Sequence, residues 1–136
     1  IKNRKGEKNK MARELVLRKC KSCGAMVKVI QDCHSDECGI RCCGEQMNVV
    51  VPNTADAAAE KHVPEYTVEG DKILVKVNHV MEEEHFIEWI SMVSDNQECT
   101  KYFKPGDVAD AKFHYIPGST LYAYCNKHSL WKKEVE

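Results

Sequence analysis

No apolar stretch in the 136-residue sequence approaches membrane-spanning length, and no apolar run follows its basic start as one would in a secretory leader. Charge of neither sign predominates. Twenty Lys and Arg stand against 21 Asp and Glu, for a formal charge of −1, which offers no strong field to nucleic acid or to a membrane surface. There is no internal repeat, no glycine-rich motif that would cradle phosphate, and no segment with convincing helical periodicity. These absences set aside nucleotide-loop, nucleic-acid and membrane functions and leave a β-rich chain whose chemistry must come from other residues.

Cysteine and histidine are the residues in excess. Six of the eight cysteines (Cys20, Cys23, Cys33, Cys38, Cys42, Cys43) fall within residues 20–43, and only Cys99 and Cys125 lie beyond. That asymmetry predicts two domains. With no secretory signature, thiols in a reducing, cytoplasmic compartment point to metal binding rather than to a disulfide framework. The first ten residues carry Lys2, Arg4, Lys5, Lys8 and Lys10 against Glu7 alone. They read as a disordered or vector-derived tail (1–10) ahead of a start at Met11.

Residues 11–51 hold too little apolar sequence for a core, and a unit of that size ordinarily needs a metal staple. Its short runs Leu15 to Leu17 and Met26 to Ile30 read as strands. Cys20 and Cys23 form a CxxC pair, with Gly24 permitting the tight turn, and Cys42 and Cys43 before Gly44 supply the second half of a four-thiolate site. Adjacent cysteines cannot form a CxxC knuckle, so a distorted tetrahedron is expected. Zinc would make this site structural and iron would make it a one-electron carrier. Cys33 and Cys38 are unassigned: they could replace a ligand, form a labile disulfide, or do neither.

Residues 52–61 (PNTADAAAEK) change character and read as a linker ending in a loop or a single helical turn. Beyond it, Lys72 to Met81 alternates, placing Ile73, Val75, Val77, His79 and Met81 on one face and aiming His79 at the core side of a strand. Phe86 to Val93 predicts a strand buried on both faces, and turn signals at 104–107 and 117–119 frame further strands at Ala111 to Ile116 and Thr120 to Cys125. Short strands at this spacing predict a small all-β sandwich over 62–136.

Within that sandwich, His62, His79, His85, Cys125 and His128 form a candidate mononuclear metal site. Imidazole is a borderline ligand and thiolate a soft one, so the set suits iron, copper or zinc over magnesium or calcium. His114 sits in a plain strand pattern and is left out. A blue-copper centre would need only two histidines, and a purely structural zinc module would leave the five-donor set without a role.

The segments EKHVP (60–64), KVNHVMEEEHFIEWI (76–90) and AYCNKHSLW (123–131), preceded by CxxCG and CCGEQM, resemble the desulfoferrodoxin family, the two-iron form of superoxide reductase. The resemblance covers nearly everything from Met11 onward. It implies a desulforedoxin-like domain holding iron in Cys20, Cys23, Cys42 and Cys43, then an immunoglobulin-like sandwich. There, five-coordinate iron would be held by His62, His79, His85 and His128 in the plane and by Cys125 as axial ligand. It also implies a loop in which Glu60 caps oxidised iron and Lys61 lies near the substrate, a rubredoxin-like electron donor, and a homodimer. One departure is the eighteen residues between Cys23 and Cys42, longer than is usual in desulforedoxin-like domains.

Overall fold

A computed structural model describes residues 12–32 and 39–136. The expected tail, Cys33 and Cys38 lie outside the described residues. The chain divides into two compact units, one of Glu14–Val51 and the other built on Pro52–Glu136.

The smaller unit is a minimal β-structure. Strands β1 (Leu17–Lys19), β2 (Met26–Lys28) and β5 (Asn48–Val49) form one antiparallel sheet in the order β2-β1-β5, and β3 (Arg41–Cys42) pairs with β4 (Glu45–Gln46) in a hairpin. Among its described residues, Leu15, Leu17, Cys20 and Met47 are the buried apolar ones. At about 25 cal/mol per Å2 of apolar surface, so few side chains offset little of the ordering entropy of nearly forty residues. The metal-staple expectation follows from that shortfall.

The larger unit has seven strands: β6 (Glu65–Glu69), β7 (Lys72–Lys76), β8 (Ile87–Val93), β9 (Glu98–Tyr102), β10 (Asp110–His114), β11 (Thr120–Cys125) and β12 (Ser129–Glu134). They make a three-stranded sheet, β10-β7-β6, and a four-stranded sheet, β12-β11-β8-β9, all antiparallel. The inner face of the first sheet contributes Ile73, Val75, Ala111 and Phe113. These pack in one core with Ile87, Ile90, Met92, Leu121 and Ala123 of the second. Two sheets sharing a core, with β7 and β8 in different sheets, are the immunoglobulin-like sandwich expected from sequence. Both central strands of the larger sheet, β8 and β11, are buried on both faces, as the apolar residues on both faces of Phe86 to Val93 predict for β8.

Three details differ from expectation. The strand expected over 72–81 ends at Lys76. Beyond it the Val77 N–H still bonds Ala109, but the His79 N–H turns back onto the Val77 carbonyl at 3.0 Å. His79 therefore rides half-buried on a turning segment that keeps the inward alternation without the ladder. The strand expected over 111–116 runs Asp110–His114 instead. In the small unit, the strand expected over 15–17 is displaced to Leu17–Lys19, and the second stops at Lys28.

Candidate metal centres

In the smaller unit the Cys20 to Gly24 segment closes as a knuckle. The Gly24 N–H bonds the Cys20 carbonyl at 2.9 Å, the Cys20 N–H bonds Ala25 at 2.8 Å, and Gly24 takes φ +82°, a left-handed conformation that only glycine adopts without cost. The opposite half uses another device. Cys43 and Gly44 are both left-handed, with φ 55° and 79°, and the Arg41 guanidinium donates to the Gly44 carbonyl at 2.8 Å. This bend lets two successive cysteines reach the same point, which straight strand would forbid because neighbouring side chains alternate. The four Sγ atoms lie within 4.8 Å of one another, with Cys23 to Cys42 at 3.6 Å and Cys42 to Cys43 at 3.9 Å. A tetrahedral ion with bonds of about 2.3 Å needs sulfur atoms about 3.8 Å apart, so the cluster fits such an ion. The thiols are electrostatically divided. Backbone N–H donation from Cys23 brings Cys20 down to about 7, whereas thiol hydrogen bonds from Cys23 and Cys20 push Cys42 up to about 12 and Cys43 upward as well. One thiolate forms readily, and its charge opposes the rest until a cation is shared.

In the larger unit, four separate segments deliver the five donors. His62 follows the single 3-10 turn Ala59–Lys61. His79 lies on the turning segment after β7. His85 closes a turn in which Glu82 and His85 exchange backbone hydrogen bonds at 2.9 and 3.2 Å. Cys125 ends β11, and His128 closes the 126–128 turn into β12. All five donor atoms lie within 4.8 Å of one another.

The imidazoles make a square. Going round it, His62, His79, His85 and His128 contact their neighbours edge to face, with ring centroids 4.7, 4.6, 5.0 and 5.0 Å apart. Cys125 Sγ lies 3.4 Å from His79 Nε2 and 3.8 Å from His128 Nδ1, which are opposite corners. A sulfur near both ends of a diagonal cannot lie in the plane without overlapping a third ring, so it sits over one face. Cys125 is fully buried, which closes that face with protein.

Hydrogen bonds set the tautomers. His62 Nδ1–H donates to the Ala58 carbonyl at 2.7 Å and His79 Nδ1–H to the Val80 carbonyl at 2.5 Å, leaving Nε2 of each as a lone pair. His128 is turned the other way, with Nδ1 3.2 Å from His62 Nε2. Trp131 braces two corners: its Nε1–H donates to the His128 carbonyl at 2.8 Å and its ring stacks on His62 at 4.9 Å. The fourth corner supplies the test of fit, because His85 Nε2 is buried and has no hydrogen-bond partner. A buried polar atom without a partner costs about 1–3 kcal/mol, which an ion shared with the converging lone pairs would remove. Burial first, and then the neighbouring imidazoles, hold His79 and His85 below the usual imidazole range. Burial pushes the Cys125 thiol up, opposed by N–H donation from Lys127 and His128.

Of the other residues singled out from sequence, Glu60 and Lys61 are exposed on the turn just before His62. His114 and Cys99 are exposed on β10 and β9 and join neither group. The sequence reading assigned no role to Trp131 or to the Ala58 and Val80 carbonyls. A cavity of about 540 Å3 along β6, β7 and β10, lined by Tyr66, Leu74, Lys76 and Lys112 among others, contains none of the nine donors.

Among the described residues, β-structure carries a four-thiolate cluster and a square of imidazoles capped by a thiol, the two donor sets of a two-centre metalloprotein of the non-haem iron kind. The family model for desulfoferrodoxin matches residues 54–134. Desulfoferrodoxin from Nitratidesulfovibrio vulgaris is 42% identical over 130 residues, covering 92% of this chain and 100% of that protein. Desulfoferrodoxin from Syntrophotalea carbinolica is 41% identical over 128 residues, covering 91% and 99%. Among solved structures, the superoxide reductase from Treponema pallidum aligns with a TM-score of 0.67 at 26% identity, over 89% of this chain and 99% of that one. The chain belongs to the desulfoferrodoxin family.

Proposed function

We propose that the chain is a superoxide reductase: it reduces superoxide to hydrogen peroxide at the His62, His79, His85, His128 and Cys125 centre and is re-reduced by an external one-electron donor. The observation that carries this reading is the capped square. Five converging donors, one of them a buried thiolate, would hold an ion with fewer protein ligands than octahedral iron accepts, and one buried imidazole nitrogen has no hydrogen-bond partner. Iron bound there supplies the one-electron couple that the substrate needs.

The protein residues would perform the remaining work. Superoxide takes up one electron and two protons and leaves as peroxide. With iron bound, the buried Cys125 thiolate would be one of its ligands and would supply electron density to it, as thiolate ligands do in haem enzymes. The N–H groups of Lys127 and His128 that face its sulfur temper that donation. Imidazole ligands, unlike carboxylates, bring no negative charge to the site, and the Ala58 and Val80 carbonyls fix the ring orientations of His62 and His79. Lys61 attracts superoxide electrostatically, and Glu60 beside it covers the centre after turnover.

The four-thiolate unit, with Cys20, Cys23, Cys42 and Cys43 as ligands, binds a second iron. A rubredoxin-like carrier serves as donor, and the protein works as a homodimer in the cytoplasm; these three points rest on the resemblance and on cysteine usage. Metal content with the visible spectrum tests the reading. Two irons per chain with thiolate-to-iron absorption support it, while a colourless zinc protein, or copper at the histidine square, would replace it with a structural module or an electron carrier.

A further inference from the structure

Asn126 stands between two of the five donors, Cys125 and His128, yet its own bonds reach a third. Its Nδ2 donates to the Glu84 carbonyl at 3.0 Å, its Oδ1 accepts from the Phe86 N–H at 3.0 Å, and its backbone N–H donates to the Phe86 carbonyl at 3.2 Å. These bonds bracket His85 on both sides along the chain. The strand ladder cannot fix that position by itself, because the β8–β11 register shifts there: Tyr124 pairs with Trp89 but Cys125 with Ile87. An asparagine side chain offers an NH2 donor group and a carbonyl acceptor in one rigid plane, which suits a carbonyl and an N–H two residues apart. Aspartate lacks the donor and alanine lacks both.

We infer that Asn126 is a positioning residue for the mononuclear centre. Its amide ties the turn carrying His85 to the hairpin carrying Cys125 and His128, so three of the five donors keep fixed separations whether or not an ion is bound. The inference rests on the reading that these donors hold iron. His62 and His79 lie on other segments and have their own carbonyl partners. Loss of the clamp therefore frees one corner of the square and leaves the other ring orientations in place.

The test is anaerobic competition for iron between the full chain and excess ferrous chelator, with the four-thiolate iron of the same molecules as internal reference. Asn126→Ala is expected to hold the mononuclear iron about 10–100-fold more weakly than the parent, the usual effect of losing a group that orients a ligand, with the reference unchanged. Asn126→Asp keeps the Phe86 bond, loses the Glu84 bond, and should fall between them. Ser91→Ala removes a buried hydroxyl bonded to Thr100 at 2.8 Å elsewhere on β8. It should lower thermal stability without weakening the iron. Parent-like iron affinity in a folded Asn126→Ala, or in Asn126→Asp should the first not fold, would overturn the positioning role. A parent protein that takes up no mononuclear iron would overturn the reading beneath it, and the inference with it.

Discussion

His79 and His85 couple stability to pH. In the unfolded chain an imidazole titrates near about 6.5. In the folded, metal-free protein both are held lower, chiefly by burial. Between the two values the unfolded state binds more protons, so stability falls as pH drops from about 6.5 through the lowered values, and these two groups add no pH dependence above 6.5. Metal-free protein melted between pH 8 and pH 5 should lose stability on the acid side, and His85→Gln should flatten that loss. A variant as acid-sensitive as the parent would contradict the account. Lys61 gives a second prediction at this scale. Lys61→Ala should slow superoxide capture well beyond Glu60→Ala, with the difference shrinking as salt rises over a Debye length of about 10 Å at 0.1 M. Capture equal to the parent at every ionic strength would remove Lys61 from the reaction. The imidazoles and the thiol were legible as donors because their chemistry is written in residue type. The Ala58 and Val80 carbonyls that select the tautomers were not, because every residue has a carbonyl and only the folded path decides which one faces a ring.

Among the elements, legibility followed the apolar pattern, which every central strand of the larger unit has; of its edge strands, β10 was read with them. The central strands β7, β8 and β11 announce themselves by alternation or by apolar residues on both faces, since their side chains face the core on one side or both. The strands β6, β9 and β12 were not read from sequence, and each is an edge. Edge strands carry charge that discourages further pairing, as in Glu65 to Glu69 (EYTVE) and Glu98 to Tyr102 (ECTKY), so their β-structure comes from the neighbour's ladder rather than from a pattern of their own. The turn between β11 and β12 provides the test at this scale. Ser129 holds φ 70°, where a side chain costs about 1–2 kcal/mol and a β-branched one more. Ser129→Gly should be at least as stable as the parent in denaturant titration, and Ser129→Val should lose about 1–2 kcal/mol or more. The reverse order would mean that the hairpin carrying Cys125 and His128 is held differently.

For the whole molecule, two units with different means of cohesion should respond differently to metal removal. Pro52–Glu136 has a continuous sandwich core, whereas the described residues of Glu14–Val51 bury only a handful of apolar side chains. Stripping metal with a chelator should abolish amide protection across the smaller unit while the β7, β8 and β11 amides stay protected, because for so small a domain binding energy is folding energy. Protection retained throughout Glu14–Val51 without metal would show a core sufficient by itself. Cysteine clustering made this division legible, since thiols gather where apolar sequence is scarce. The bend at Cys43, which brings adjacent cysteines to one point, was not, because nothing in the residue types requires a left-handed backbone there. The central claim concerns the reaction. Its most direct measurement is anaerobic mixing of the reduced protein with a superoxide pulse, with peroxide and oxygen both quantified. The account predicts one peroxide per mononuclear iron, oxidation of that iron, and no oxygen; oxygen evolved alongside peroxide, or iron left reduced, would contradict it.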